Sequence, residues 1–405
     1  MRTMRLSVLA AAMVLAGVGA NANAEEPVSE NALVGGNTEF AIALHQRLAE
    51  DGGNLVASPF SISSALAMTY AGAGGETAAQ MEEVLRFAGE DVHEVFAAVV
   101  GELREREAEE DYELVVANAL WGQEGYDFAP AFLELLEMQY EAPLREADFA
   151  GEPEAEADRI NAWVEEQTQE RIQDIIPPGT LNPLTRLVLA NAIYFKGAWL
   201  EPFEEEATEA GEFTRADGEV VDVDMMRQTE QFRYAEVDGV QVLELPYEGR
   251  DVAMLVALPE THDGLAALEA ELTADTVEQW VDALSQEQVD VRLPKFEFTT
   301  ELRLDDVLQA MGMEHAFSPR DSDFSGMAPD ADDLHISAVL HKAFIDVHEE
   351  GTEAAAATAV VMQVTAIMPE DEPVAFHADR PFLFLLRDQH SGSILFMGRA
   401  ADPSA

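Results

Sequence analysis

The stretch from Glu349 to Met362, Glu-Glu-Gly-Thr-Glu-Ala-Ala-Ala-Ala-Thr-Ala-Val-Val-Met, restricts the fold more than any other part of the chain. It follows a strand-like run, Leu334 to Val347, with no turn signal that would fold the chain back. Gly351 supplies a hinge with free φ and ψ. In an extended chain Thr352, Ala354, Ala356, Thr358, Val360 and Met362 face one way, and none is charged or large before Met362. Glu353 and Gln363 fall on the opposite face. One face therefore suits an apolar interior and the other suits water. Alanine is the best helix former, so an Ala-rich helix competes with this reading, as does a flexible linker. Thr358 and the run Ala359-Val360-Val361 pull toward β structure. The segment runs out at Pro369 and Pro373 among Glu370, Asp371 and Glu372, the composition of an exposed loop. An extended exposed loop is a protease substrate. A stretch suited to be both loop and strand is a candidate switch.

The rest of the chain builds its core without covalent help. Of 405 residues 48% are hydrophobic and none is cysteine. Disulfides, thiolate catalysis and cysteine-based zinc sites are therefore excluded. Charge is lopsided, with 79 acidic against 23 basic side chains and a formal net charge of −56. Such a surface repels phosphate backbones and disfavours anionic lipid, so no nucleic acid and no membrane is expected as a partner. Only Lys196, Lys295 and Lys342 are lysines, and the acids run through the whole chain. That pattern suits a protein kept soluble in high salt, where self-repulsion is screened. An acidic surface that merely favours solubility is the plainer alternative.

Arg2 and Arg5 precede an apolar run, Leu6 to Gly19, closed by Ala22-Asn23-Ala24. This is the layout of a secretory signal cleaved after Ala24. The run is short for a membrane span, which needs about 20 residues. The expectation is a signal over residues 1–24 and a single domain over 25–405, secreted or periplasmic.

Residues 25–37 read as a mobile lead-in. Helical spacing marks Thr38 to Ala49, Ser61 to Ala73, Thr77 to Phe87 with Thr77 as its cap, and Val92 to Glu110. It also marks Pro130 to Tyr140, Leu265 to Leu284, and Ala155 to Ile176, the last stopped by Pro177-Pro178-Gly179. Strand-like runs are Tyr112 to Trp121, Leu187 to Trp199, several short ones between Glu219 and Pro259, Val289 to Thr299, and Leu334 to Val347. Val374 to Phe376, Phe382 to Arg387 and Ser393 to Gly398 complete them. Helices gather early and strands late, which argues an α+β fold.

Motifs for common chemistries are missing. There is no GxGxxG after a strand, no P-loop, no HExxH helix and no GxSxG elbow. His335, His341 and His348 are six and seven residues apart, so on one strand His348 opposes the other two and all three cannot meet at a metal. In so acidic a chain, carboxylate pairs arise by chance and do not indicate glycosidase machinery.

Four stretches, in order, resemble the serpin family. The first is Asn54-Leu55-Val56-Ala57-Ser58-Pro59-Phe60-Ser61-Ile62 with Ala65-Leu66-Ala67-Met68 and Gly72-Ala73. The second is Leu189-Ala190-Asn191-Ala192-Ile193-Tyr194-Phe195-Lys196-Gly197-Ala198-Trp199. Glu349 to Thr358 is similar to the hinge of inhibitory members, and Asp379-Arg380-Pro381-Phe382 with Leu395-Phe396-Met397-Gly398-Arg399 to the C-terminal signature. The likeness runs from about Phe40 to Pro403. It implies three β-sheets, eight or nine helices, and an exposed reactive-centre loop at about residues 351–373. It also implies a suicide-substrate inhibitor of serine proteases, not an enzyme, with no cofactor and no metal. In such proteins a protease attacks the loop and forms an acyl-enzyme. The freed loop enters the main sheet as a new strand, carries the protease to the far end and distorts its active site before deacylation.

Residue by residue, the resemblance implies a hinge at Glu349, Glu350, Gly351, Thr352, Glu353, Ala354, Ala355, Ala356, Ala357 and Thr358. It implies a polar cluster beneath the opening sheet at Ser58, Ser61, Asn191 and His341, with Trp199 at the point of loop entry. The scissile bond falls at Thr365-Ala366, bounded by Met362 and Met368. No Arg or Lys lies near it, so an elastase-like or subtilisin-like target with a small or apolar pocket is implied. The implied partner is a serine protease held covalently by a monomer. A non-inhibitory serpin-fold binding protein and an inhibitor that also takes cysteine proteases are the alternatives. A hydrolase using the Ser/His cluster would lack an elbow and an oxyanion loop.

Overall fold

The computed structural model describes residues 30–87, 92–107, 112–329, 333–352 and 372–405. The expected signal, the scissile bond and the hinge beyond Thr352 lie outside the described residues. Nine α-helices form among those described: α1 (Glu30–Leu48), α2 (Pro59–Tyr70), α3 (Gly75–Leu85), α4 (Val92–Glu107), α5 (Pro130–Tyr140), α6 (Pro153–Gln167), α7 (Leu265–Glu271), α8 (Ala274–Ala283) and α9 (Asp305–Met311). The first strands are β1 (Leu55–Ala57), β2 (Tyr112–Gln123), β3 (Arg145–Ala147), β4 (Leu187–Ala198), β5 (Glu209–Thr214), β6 (Val220–Val237), β7 (Val240–Pro246) and β8 (Val252–Pro259). The later ones are β9 (Ser285–Pro294), β10 (Phe296–Arg303), β11 (Ile336–His348), β12 (Gly351–Thr352), β13 (Val374–His377), β14 (Phe382–Asp388) and β15 (Ile394–Ala400).

The α+β expectation holds, and the six-stranded sheet, in the order β10-β11-β12-β4-β2-β3, organises the molecule. Strand β4 is apolar at nearly every position because it is covered on both faces. Leu187, Leu189, Ile193 and Phe195 join the main core. Val188, Ala190 and Ala192 join a second cluster with Ile160 and Val164 of α6 and with Ile172, Ile175, Ile176 and Leu181 beyond it. The segment after α6 thus lies over the β4–β11 pair.

The other nine strands form one ladder, β1-β15-β14-β8-β7-β6-β9-β13, with β5 on β6. Two of the three expected sheets are joined in it by the 18-residue strand β6. The start of β6 pairs with β5, its end pairs with β7, and β9 runs along its middle.

Several boundaries differ from expectation, each for a tertiary reason. Helix α1 starts at Glu30, inside the supposed lead-in, because Leu33 and Val34 are buried at helical spacing from Phe40 and Leu44. Gly36 permits the close packing there, since a Cβ would meet the Arg86 carbonyl oxygen at 2.5 Å. Thr77 caps nothing. It is buried inside α3, and its hydroxyl accepts from Asp323 N–H at 2.9 Å. Helix α6 ends at Gln167, well before the prolines, because Thr168 Oγ1 accepts from Ile172 N–H at 3.1 Å and donates to the Val164 carbonyl at 2.8 Å. The expected helix from Leu265 splits in two, because the side chains of Thr273 and Thr276 form a reciprocal cap that starts α8.

Candidate functional site

Strands β4 and β11 run parallel and pair from Leu187↔Ile336 to Tyr194↔Phe344. Above that point they part, and β12 fills the gap. It is antiparallel to β11, with Thr352 opposite Val347 and Gly351 opposite His348. It is antiparallel to β4 as well, with Gly351 opposite Ala198 and Thr352 opposite Gly197. The expectation of no turn after β11 is therefore wrong, since the chain folds back at Glu349-Glu350.

Neither residue is a turn former, so the turn is held from outside. Trp199 N–H donates to the Glu350 carbonyl and Phe203 N–H to the Glu349 carbonyl, each at 2.9 Å. The buried Glu349 carboxylate takes Lys295 Nζ at 2.8 Å and the Thr208 hydroxyl at 2.7 Å. Burial alone would push this carboxyl up, but the bonds from Lys295 and Thr208 outweigh it and hold it below the usual range. Gly351 has φ +155°, and a Cβ on it would meet the Gly197 carbonyl oxygen at 2.1 Å. Only glycine lets the strand start this close to β4.

Thr352, fully buried, bonds the Tyr247 hydroxyl at 2.6 Å. Tyr247 stacks on Trp199, ring centroids 4.4 Å apart at 17°. Trp199 Nε1–H in turn donates to the His348 carbonyl at 3.0 Å. Trp199 thus links β4, the β11 turn and β12 at the upper end of the seam.

Lower in the seam lies the polar cluster. Ser58 caps α2, its hydroxyl accepting from Ser61 N–H at 3.2 Å and donating to the Leu395 carbonyl at 2.6 Å. Ser58 N–H donates to His341 Nε2 at 3.1 Å, so that nitrogen carries no proton. The ring proton therefore sits on Nδ1 and is donated to Asn191 Oδ1. Asn191 Nδ2 donates onward to the Ser61 hydroxyl at 2.5 Å and to Asn118 Oδ1. Full burial pushes His341 down to about 3, so the ring is neutral. Asn191 and His341 are also direct register partners across the seam. The cluster ties α2, β2, β4 and β11 together where β4 and β11 meet.

Ser58, Ser61, Asn191 and His341 are thus brought together, and Trp199 sits with Glu349, Glu350, Gly351 and Thr352 at the upper end. His335 precedes β11 and takes part in neither group. Asn118, Tyr247 and Lys295 belong to the site and were not singled out from the sequence. Asn118 carries a signal once registers are known, because it lies opposite Asn191.

The sequence pattern of the family described as Serpin (serine protease inhibitor) matches residues 35–403. A leukocyte elastase inhibitor of Bos taurus is 42% identical over 377 residues, which cover 91% of this chain and 98% of that protein. An uncharacterised serpin-like protein of Thermococcus kodakarensis is 43% identical over 376 residues, covering 92% of this chain and 86% of the other. Among solved structures, Serpin48 of Tenebrio molitor superposes with a TM-score of 0.83 at 32% identity, covering 93% of this chain and 100% of that one. The chain belongs to the serpin family of serine protease inhibitors.

Proposed function

We propose that this protein is a secreted, monomeric suicide-substrate inhibitor of serine proteases, cut at Thr365-Ala366 and trapping its target covalently by inserting the cleaved loop between β4 and β11. The observation that carries the reading is the two-sided pairing of Gly351 and Thr352. The first residues after the turn already occupy the position and direction of a new central strand. Continued in the same register, the inserting chain brings Thr358 between Asn191 and His341, and Met362 beside Leu187 at the start of β4. The small residues from Ala354 to Ala357 suit that path.

The energetics favour insertion even though the seam is already paired. One parallel ladder is exchanged for two antiparallel ones, a net gain of roughly ten hydrogen bonds. At about 0.5–1.5 kcal/mol net each, the gain is on the order of 10 kcal/mol. Burial of Val360 and Met362 adds roughly 2–4 kcal/mol. This is comparable with the stability of a whole domain, so the intact form is held kinetically. The name of the bovine relative, a leukocyte elastase inhibitor, supports an elastase-like target, as does the lack of Arg and Lys around Thr365.

The test is incubation of the mature protein with elastase or subtilisin, followed by a denaturing gel. An adduct that survives boiling is expected, with a released peptide beginning at Ala366 by mass spectrometry. Turnover without adduct by every serine protease tried favours the non-inhibitory alternative. Loop-nicked protein should also melt higher than intact protein, and equal melting would sink the insertion step.

A further inference from the structure

Strand β3 reaches only Trp121, Gly122 and Gln123 of β2, and the chain from Glu141 to Leu144 stands off the rest of that edge. A cavity of about 200 Å³ opens there, between α2 and α4 on one side and α6 on the other. We propose that it binds a small aromatic monocarboxylate. Its walls are apolar, with Phe60, Leu103, Val116, Tyr140 and Trp163. A cavity of about 150 Å³ holds benzene, so this one has room for a single ring with a short acidic arm.

The cation that would receive the acid is Arg145. Its guanidinium lies 5.0 Å from the Trp163 ring centre and 5.5 Å from that of Trp121, and it has no carboxylate partner among the described residues. Arg104, also on the lining, is already neutralised by Glu141, and Arg159 nearby by Glu156. Acids outnumber bases 79 to 23 in this chain, so an arginine at a cavity without one is conspicuous. Its flat cation offers a two-point grip that selects carboxylate over alcohol or amide.

The site adjoins the polar cluster through Asn118, which lines the cavity and accepts from both Ser61 and Asn191. An occupant packed on Asn118 would brace β2 against β4 and slow opening of the seam. This consequence, unlike the site itself, rests on the proposed inhibitory mechanism.

The test uses the full mature chain and 3-phenylpropanoate, with 3-phenylpropanamide as the neutral control. The carboxylate is expected to raise the melting temperature and change tryptophan fluorescence at millimolar concentration, and the amide to do so at least about tenfold less well. Arg145→Gln should weaken carboxylate binding by a similar factor and leave the amide unaffected, and Ser64→Leu, which fills the cavity, should abolish both. Equal binding of acid and amide, no binding of the acid, or an unaltered Arg145→Gln variant would overturn the site. If the acid binds and the protease adduct forms, the moles of inhibitor consumed per protease should rise with occupancy. Binding without that rise would overturn the regulatory half. Absence of any adduct without ligand would count against the inhibitory mechanism and leave the site standing.

Discussion

The hydroxyls of Tyr247 and Thr352 lie 2.6 Å apart, and both side chains are wholly buried. Tyr247 belongs to the turn between β7 and β8, whereas Thr352 is the last described residue before the loop. The bond therefore anchors the start of the loop to the body beneath the six-stranded sheet. Burial pushes the Tyr247 phenol up, and the bond to Thr352 opposes the rise only in part, so the phenol stays protonated and able to donate.

Thr352→Arg is predicted to turn inhibitor into substrate. The guanidinium would enter the space now filled by a hydroxyl against Tyr247, where a charge has no partner. The start of the loop would be expelled and insertion slowed. On a denaturing gel with elastase or subtilisin, the cleaved form should outnumber the adduct by about tenfold or more, since a barrier change of 1.4 kcal/mol is already tenfold in rate. Thr352→Val keeps the branched shape and leaves only the Tyr247 hydroxyl unpaired, a cost of about 1–3 kcal/mol, so it should still inhibit. Unchanged inhibition by Thr352→Arg would refute the role given to this residue.

Lys196 is predicted to receive the first charge that enters. One further step in the β12 register sets Glu353 beside Lys196 of β4 and Asp346 of β11. Glu113 lies opposite Lys196 in β2, and Glu297 lies opposite Asp346 in β10. Lys196 is thus the one cation in that row of acids. Lys196→Glu should lower the yield of adduct at low salt, and the loss should shrink as salt screens the row. The exchange Lys196→Glu with Glu353→Lys should restore the yield. A yield that ignores both charge and salt would refute the pairing.

These residues also show which parts of the molecule were legible in the sequence. Leu187 to Ala198 could be read because burial on both faces leaves an unbroken apolar run, and α5 because its spacing is regular. The start of α1 could not, since Gly35-Gly36 looks like a linker until the Arg86 backbone is found against Gly36. The turn at Glu349-Glu350 was invisible because its partners, Trp199, Phe203, Thr208 and Lys295, are distant in the chain. Ser58, Ser61, Asn191 and His341 were named by family resemblance alone. Nothing in their spacing says that they meet. Asn118 escaped because one asparagine in an alternating strand reads as surface until its register opposite Asn191 is known.

Acid should loosen the intact protein before its carboxylates titrate. His341 and His93 are pushed by burial to about 3 and about 4, below the ordinary 6.5. The folded state therefore binds fewer protons than the unfolded one, and this stability is complete above about pH 6.5 and lost as pH falls. Between pH 6.5 and 4.5 each histidine contributes a slope of up to about 1.4 kcal/mol per pH unit. Protonated His341 would also set a donor against Ser58 N–H. The urea midpoint should fall across this window. His341→Gln, which keeps a donor and an acceptor, should remove roughly half of the slope, and a midpoint flat from pH 7 to 4.5 would contradict the assignment.

Salt should stabilise the fold, because most of the acidic excess has no cation to meet. On the β5–β6 ladder Glu212 stands directly opposite Asp222, both exposed, and like charges so placed repel. On the same surface the Glu230 carboxyl is pushed up, first by burial and then by Glu201. Repulsion of this kind reaches about 10 Å in 0.1 M salt but only about 3 Å in 1 M. Melting temperature should therefore climb steeply from 0.1 to 1 M sodium chloride and level off beyond, where further salt has little left to screen. Replacing the pair, Glu212→Gln with Asp222→Asn, should raise the melting temperature at 0.1 M and leave it nearly unchanged at 2 M. A melting temperature independent of salt would mean that the acidic surface favours solubility alone and that high salt is not needed for the fold.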